Sequence, residues 1–205
     1  PPPPPAPTGP DVARDLQLDD LPDLVARQPS TGRLELLAGA TGPGFADRQS
    51  TIYSPNRLDV VTGLGDLTGN GRPDILTRVR RTGLTEVRPG KPNGMFGVPI
   101  ATSRTKRFRG ADLVAGAGNL LGTPRRDLVT RDAATKRLWV YPGKPGGKHG
   151  VRRLLLAEAR HISSISDAGD LNGDGKADLL ATAGARLMLY PGLGKGTLGK
   201  PVVLS

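Results

Sequence analysis

Residues 170–180 read DLNGDGKADLL, an acidic run closed by two leucines. Asp170, Asn172, Asp174 and Asp178 fall at positions 1, 3, 5 and 9 of its first nine residues. Like charges packed this closely repel unless something cationic sits between them. Oxygen-bearing residues at alternate positions of a compact turn point inward, and the backbone carbonyl of Lys176 at position 7 adds a further ligand. Gly175 at position 6 permits the positive φ of a sharp bend. Oxygen-only ligation suits calcium better than magnesium, zinc or copper. The competing reading is an Asx-rich turn satisfied by its own backbone.

The run recurs. DLTGNGRPD at 66–74 is a close relative, NLLGTPRRD at 119–127 a weaker one, and DLQLDDLPD at 15–23 fits the same frame. The starts are spaced by 51, 53 and 51 residues, which chance does not produce. The second loop offers Asp66, Thr68, Asn70, the carbonyl of Arg72 and Asp74. The first offers Asp15, Gln17, Asp19, the carbonyl of Leu21 and Asp23, with Asp20 where a glycine would ease the turn. The third keeps Asn119, Leu121, Thr123 and Asp127, a single carboxylate beside Arg125 and Arg126, and is expected to be metal-free.

Each loop is followed by two aliphatic residues: Leu24-Val25, Ile75-Leu76, Leu128-Val129 and Leu179-Leu180. A second strand follows (RLELLAG, LTEVRPG, RLWVYPG, RLMLYPG), and its closing glycine lies 24, 24, 24 and 22 residues from the loop start. A Gly-rich turn and a third apolar stretch complete the unit, and another strand precedes each loop. Every unit therefore reads as four short antiparallel strands. The expected class is all-β, a β-propeller of four four-stranded blades of about 51 residues. A Pro-rich linker at 1–10 precedes blades at 11–54, 55–106, 107–160 and 161–205. Leu36, Val87, Val140 and Leu189 share one apolar phase and should face neighbouring blades. The adjacent phase holds Glu35, Glu86, Trp139 and Met188, which makes Trp139 a candidate ligand contact as well as a candidate packing residue.

Composition limits the function classes. The 205 residues include no cysteine, which excludes disulfides, thiolate metal sites and a cysteine nucleophile. With 29 glycines and 20 prolines the chain favours turns over long helices. No apolar run reaches the roughly 20 residues of a membrane helix. PPPPPAPTGP at the start favours extended polyproline II and is expected to act as a stiff tether. The net charge of +10 points to a solvated basic surface or to an anionic polymer as partner.

GDLTGNGRPDIL at 65–76 and GDLNGDGKADLL at 169–180, with YPGKPGG and YPGLGKG downstream, resemble the FG-GAP or VCBS repeats of integrin-alpha-like propellers. The resemblance covers nearly everything from residue 11 onward. It implies a β-propeller with calcium in the loops Asp66–Asp74 and Asp170–Asp178. It also implies a secreted bacterial setting, in which such repeats accompany hydrolases or serve recognition and scaffolding. Family propellers typically have seven blades; with four here, closure within one chain is expected, and a homodimer is the alternative.

Catalytic constellations are sparse. His161 precedes ISSIS, but a triad needs a strand-turn presenting the serine and a carboxylate behind the histidine. Glu35, Glu86 and Glu158 are the only glutamates, so paired acids for glycoside hydrolysis are scarce. Basic runs at RVRR (78–81) and RTKRFR (104–109) carry one aromatic, Phe108, which disfavours nucleic acid. The expectation is a secreted, calcium-stabilised, non-catalytic binding or scaffolding module at the cell surface or wall. Its partner would be a protein or an anionic surface polymer. The alternatives are an accessory domain of a secreted hydrolase and a lectin-like carbohydrate binder.

Overall fold

In the computed structural model, the aliphatic pair after each acidic loop lies in a strand. The structure describes residues 15–28, 30–42, 44–52 and 58–205. The linker at 1–10 and the expected start of the first blade at 11–14 lie outside the described residues.

The first repeat forms one sheet of β1 (Leu24–Arg27), β2 (Leu34–Gly39) and β3 (Phe45–Ile52). The second repeat pairs β4 (Leu58–Gly65), β5 (Asp74–Val79) and β6 (Thr85–Arg88) in that order. The third orders β7 (Ala111–Gly116), β8 (Leu128–Asp132), β9 (Leu138–Tyr141) and β12 (Arg153–Leu156), with the hairpin β10 (Gly143–Lys144) and β11 (Lys148–His149) interposed. The fourth repeats that plan with β13 (Ser164–Gly169), β14 (Asp178–Ala183), β15 (Arg186–Tyr190) and β18 (Val202–Val203), around the hairpin β16 (Gly192–Gly194) and β17 (Thr197–Leu198). All pairings are antiparallel.

The described residues thus form an all-β structure whose sheets recur with the sequence period. Two repeats reach the expected four strands and two show three. In the second repeat the stretch GVPIATS is not a fourth strand. Pro99 has no N–H to donate, and the chain instead makes a 3-10 turn at Ala101–Ser103. Ile100 N–H still reaches the Val87 carbonyl, and the Ser103 hydroxyl accepts the Val87 N–H at 2.8 Å, so a side chain replaces part of the missing ladder.

By contacts, the described chain divides into two units: residues up to Arg109 with Pro145–Gly147, and Gly110–Lys144 with Lys148–Ser205. Each has its own core. In the first unit Leu34, Leu36, Leu58 and Ile75 pack with Leu16 and Phe96. In the second, Val129, Leu138, Val140 and Leu155 from one repeat join Leu179, Ala181 and Tyr190 from the next. A core shared between successive repeats is what a sheet with two apolar faces requires, because one sheet cannot bury both alone. Leu36, Val87, Val140 and Leu189 are all buried, as their common phase predicts.

An ion pair with a buried arginine and a partly exposed aspartate also recurs. Asp59 and Asp112 each occupy a bulge in the first strand of their repeat, opposite Arg78 and Arg131 of the second strand. Arg131 grips Asp112 with two bonds, Nε to Oδ1 at 2.8 Å and Nη2 to Oδ2 at 3.0 Å. Its Nη1 continues to the carbonyls of Ala159 and Ile162, on the stretch leading into the fourth repeat. Arg78 does the same with Asp59 and the Phe108 carbonyl. The equivalent place in the fourth repeat holds Thr182, with the hydroxyls of Ser163 and Ser164 at 2.8 and 2.7 Å.

Arg131→Ala leaves the carbonyls of Ala159 and Ile162 without their donor and Asp112 with Lys136 as its remaining partner. Asp112 keeps 27% of its side-chain surface, so solvent softens the loss. The expected cost is about 2–4 kcal/mol by urea unfolding. Lysine lacks the planar fork that spans a carboxylate and a carbonyl. Arg131→Lys should therefore recover less than half of that cost.

Candidate functional site

The loops are built by two carboxylates that face opposite ways. In the fourth loop Asp170 turns into the bend: Oδ1 accepts the N–H of Gly173 and Asp174, and Oδ2 that of Gly175, at 2.8–3.0 Å. Asp178 turns toward the sheet. Its Oδ2 accepts the N–H of Leu171 and Asn172, and its Oδ1 accepts Gly192 N–H at 2.8 Å. Gly173 and Gly175 take φ of 77° and 82°, which lets three successive N–H groups converge on one carboxylate.

The second loop reproduces this pattern. Asp66 accepts from Gly69, Asn70 and Gly71, while Asp74 accepts from Thr68 and Gly90. In the first loop Asp15 accepts from Asp19 and Asp20, and Asp23 from Leu16, Gln17 and Gly39. Asp20 occupies the bend with φ of 66°, the place where glycine was expected to be easier. The third loop has lost half of the device. Asn119, with one carbonyl oxygen, accepts only Thr123 N–H, yet Asp127 still accepts from Leu121 and Gly143.

Position 9 therefore does the same thing in every copy: it ties the start of the loop to the glycine that closes the next strand but one. That glycine is obligatory for a second reason. A Cβ at Gly39, Gly90 or Gly192 would stand 2.7, 2.3 or 1.8 Å from the carbonyl oxygen of Pro22, Pro73 or Ala177, the residue just before the aspartate.

These facts decide where a hard cation fits. Asp170, Asn172, Asp174 and Lys176 are exposed at the bend, an all-oxygen set once the Lys176 carbonyl is counted, and their chemistry suits calcium. Asp178 is fully buried and engaged by backbone donors, so it serves the turn before any metal. The second loop exposes Asn70 and half-buries Asp66, Thr68 and Arg72, with Asp74 buried. In the first, Asp15 is buried, Asp19 exposed, and Gln17, Leu21 and Asp23 half-buried. The third loop does not fit: Leu121 is buried at a ligand position, and Arg126 reaches away to Asp167 of the fourth repeat. Among the described residues, no three acidic or imidazole side chains converge as a metal cluster.

Other sequence candidates resolve differently. His161 Nε2 lies 2.9 Å from the Tyr190 hydroxyl, whereas Ser163 and Ser164 bond to Thr182. His149 is half-buried in the β10–β11 hairpin. Trp139 is half-buried between Thr130 and Leu154, and the Arg152 guanidinium lies 4.0 Å above its ring. The indole N–H is buried without a hydrogen-bond partner. Arg78, part of the basic run 78–81, is the buried half of an ion pair with Asp59. No helix among the described residues is long and apolar enough to cross a membrane.

Comparison with known proteins agrees with the repeat. Residues 164–199 match the FG-GAP repeat model, so the chain carries an FG-GAP repeat that includes the 170–178 loop. No curated protein matches the sequence. Among solved structures, a lectin of Agrocybe aegerita, described as recognising non-reducing terminal N-acetylglucosamine, superposes with a TM-score of 0.52 at 17% identity. The match covers 89% of this chain and 52% of the lectin, so this chain spans about half the lectin's length. The Tc holotoxin pore of Photorhabdus luminescens gives 0.48 at 18% identity, over 89% of this chain and 9% of that one. At these identities the likeness to the lectin concerns the fold alone.

Burial pushes the Asp127 carboxyl up to about 6, against the N–H groups of Leu121, Gly143 and Leu120 and the charge of Arg153, which pull it down. Burial likewise raises Asp74, opposed by Gly90 and Thr68. A folded-state value above the unfolded one means that folding takes up a proton between about pH 4 and 6. The cost of burying the charge is thus present at pH 7 and relieved as pH falls. Relative to Asp127→Asn, the wild type should gain about 2–3 kcal/mol of stability between pH 7 and pH 4. Urea unfolding of both proteins across that range checks it; a flat difference would refute the buried charge.

Proposed function

We propose that this chain is a calcium-stabilised β-propeller of four blades that acts, outside the cell, as a non-catalytic binding or scaffolding module. The FG-GAP repeat at 164–199 carries the reading, because its loop combines that match with three exposed oxygen-bearing side chains at one bend. Asp170, Asn172, Asp174 and the Lys176 carbonyl would hold calcium, with the 66–74 loop a weaker second site. The ion would neutralise carboxylates already oriented by backbone N–H groups and so stiffen the bend. The cores shared by successive repeats support the propeller, since stacked blades need such a surface. A non-catalytic role is supported by the separation of His161, held by Tyr190, from the serines that bond Thr182.

The ligand class this reading favours is a surface glycan or cell-wall polymer, in keeping with the fold shared with the lectin. Stacking a sugar on Trp139 would require Arg152 to move from the ring face. Trp139→Ala is accordingly the control for that mode, and an accessory role beside a hydrolase would leave it silent. Immobilised protein should retain a cell-wall or glycan fraction more strongly with calcium than with chelator; no retention in either condition would overturn the binding role.

Calcium has its own test. Extracellular calcium modules bind with dissociation constants on the order of 0.1–1 mM. Adding about 5 mM calcium to chelator-treated protein should then stabilise it by about 1–2 kcal/mol, or about 3–6 °C in Tm. Asp174→Ala should abolish the shift without unfolding the chain, because Asp174 is exposed and the partners of its side chain are local, the Lys176 N–H and, at 3.6 Å, the Lys176 Nζ. An unchanged Tm on adding calcium would refute the site.

A further inference from the structure

We propose that the tip of the second repeat, Arg80, Arg81, Lys106, Arg107 and Arg109, is the surface through which the module grips an acidic polysaccharide. This rests on the binding-module reading and assigns it a place. Two segments 26 residues apart in sequence, 80–83 and 106–109, are brought together there. The β5–β6 turn closes through Gly83 N–H to the Val79 carbonyl and Val79 N–H to the Leu84 carbonyl, both 2.8 Å. Thr85 and Thr105 exchange backbone bonds of 2.7 and 3.0 Å, and Arg78 Nη1 holds the Phe108 carbonyl at 2.7 Å. Arg109 lies over the turn so closely that a Cβ at Gly83 would stand 2.5 Å from its Cγ. All five cations are exposed.

The acids of the same repeat are committed elsewhere. Asp59 pairs with Arg78, and Glu86 with Arg88 and Arg104. Asp66 and Asp74 belong to the loop at the opposite end of β5, about 17 Å away at the rise of a β-strand.

The third repeat supplies an internal control. Its turn has the same bonds, Lys136 N–H to Asp132 carbonyl and Asp132 N–H to Arg137 carbonyl, and the same left-handed residue, Lys136 for Gly83. Thr82 and Thr135 hydroxyls accept the equivalent N–H groups of Leu84 and Arg137. Ile162 N–H bonds to Ala159 just as Arg109 N–H bonds to Lys106. At the five positions the third repeat has Ala133, Ala134, Ala159, Arg160 and Ile162, and its one cation faces Glu158 at 3.6 Å. The fold therefore does not need the charges. Arg80, Arg81, Lys106 and Arg109, like charges gathered at one tip, repel one another, a cost that an anionic chain laid across them reverses.

The polymer class follows from what the tip lacks. Phe108, the one aromatic in these segments, is 2% exposed, so no ring is offered to stack a nucleobase. Long exposed Lys and Arg side chains without a stacking platform suit regularly spaced carboxylates or sulfates.

The test uses the full chain, with polygalacturonate as the acidic polysaccharide and single-stranded oligodeoxythymidine as the nucleic-acid arm. One variant carries Arg80→Gln, Arg81→Gln, Lys106→Gln and Arg109→Gln. The control removes equal charge elsewhere, at Lys144, Lys148, Lys195 and Lys200. The tip variant should lose at least about ten-fold in affinity at about 0.1 M salt and show a shallower salt dependence, with the control losing less than about three-fold. Equal losses in both variants, no binding of polygalacturonate by the wild type, or tighter binding of the oligonucleotide would each overturn the proposal. Retention of a cell-wall or neutral glycan fraction that survives in the tip variant would overturn the tip alone and leave the binding-module reading standing.

Discussion

The fold depends on one hydrogen-bonded knot, made four times. An aspartate at the ninth loop position, fully buried in three of the four copies, holds N–H groups from the start of its own loop and from the glycine that closes the following strand. Backbone donors in a turn that cannot join a ladder would otherwise be lost from water without a partner, at about 1–3 kcal/mol each. A carboxylate can serve several of them because it offers two oxygens and accepts only. The knot also fixes how closely the chain crosses itself, and only glycine fits where the closing residue meets the carbonyl preceding the aspartate.

The third loop shows which parts of the motif belong to the fold and which to something added. It has dropped the carboxylate at position 1, placed leucine and threonine at positions 3 and 5, and kept Asp127. The surviving residue is the one with a structural duty. The lost ones are those that, in the fourth loop, stand exposed at the bend. A metal in the fourth loop would thus be an addition to a turn that its own backbone already closes, and the two readings weighed from the sequence, cation site and self-satisfied Asx turn, are compatible within one loop.

Much of the fold was legible in the sequence because its cause is periodic. The recurring loop, the aliphatic pair after it and the closing glycine each reflect a local requirement, and Leu36, Val87, Val140 and Leu189 landed in the cores as their phase implied. Where the requirement is not local, the text misleads. Arg78 reads as part of a surface run, yet its partner Asp59 lies 19 residues earlier, inside a bulge that no pattern announces. The hairpins β10–β11 and β16–β17 are too short to carry an alternation, and GVPIATS alternates well enough to suggest a strand where the chain makes a 3-10 turn. The inward role of Asp178 was hidden because a ligand and an anchor are spelled with the same residue.

The two kinds of arginine in the second repeat show why charge must be assigned by place. Arg78 spends its guanidinium on a carboxylate and a main-chain carbonyl, and both bonds recur at Arg131, so this cation is part of the scaffold. Arg80 and Arg81 sit two and three residues further on, beyond the end of the strand, where the third repeat has two alanines at no loss to the turn. Scaffold charges are paired within the repeat whereas the tip charges stand exposed at its end, so the net charge of +10 is no uniform coating. In the second repeat the exposed cations stand at the strand end opposite the acidic loop, so charge distinguishes its two ends. β5 runs from the acidic loop at one end to the basic tip at the other.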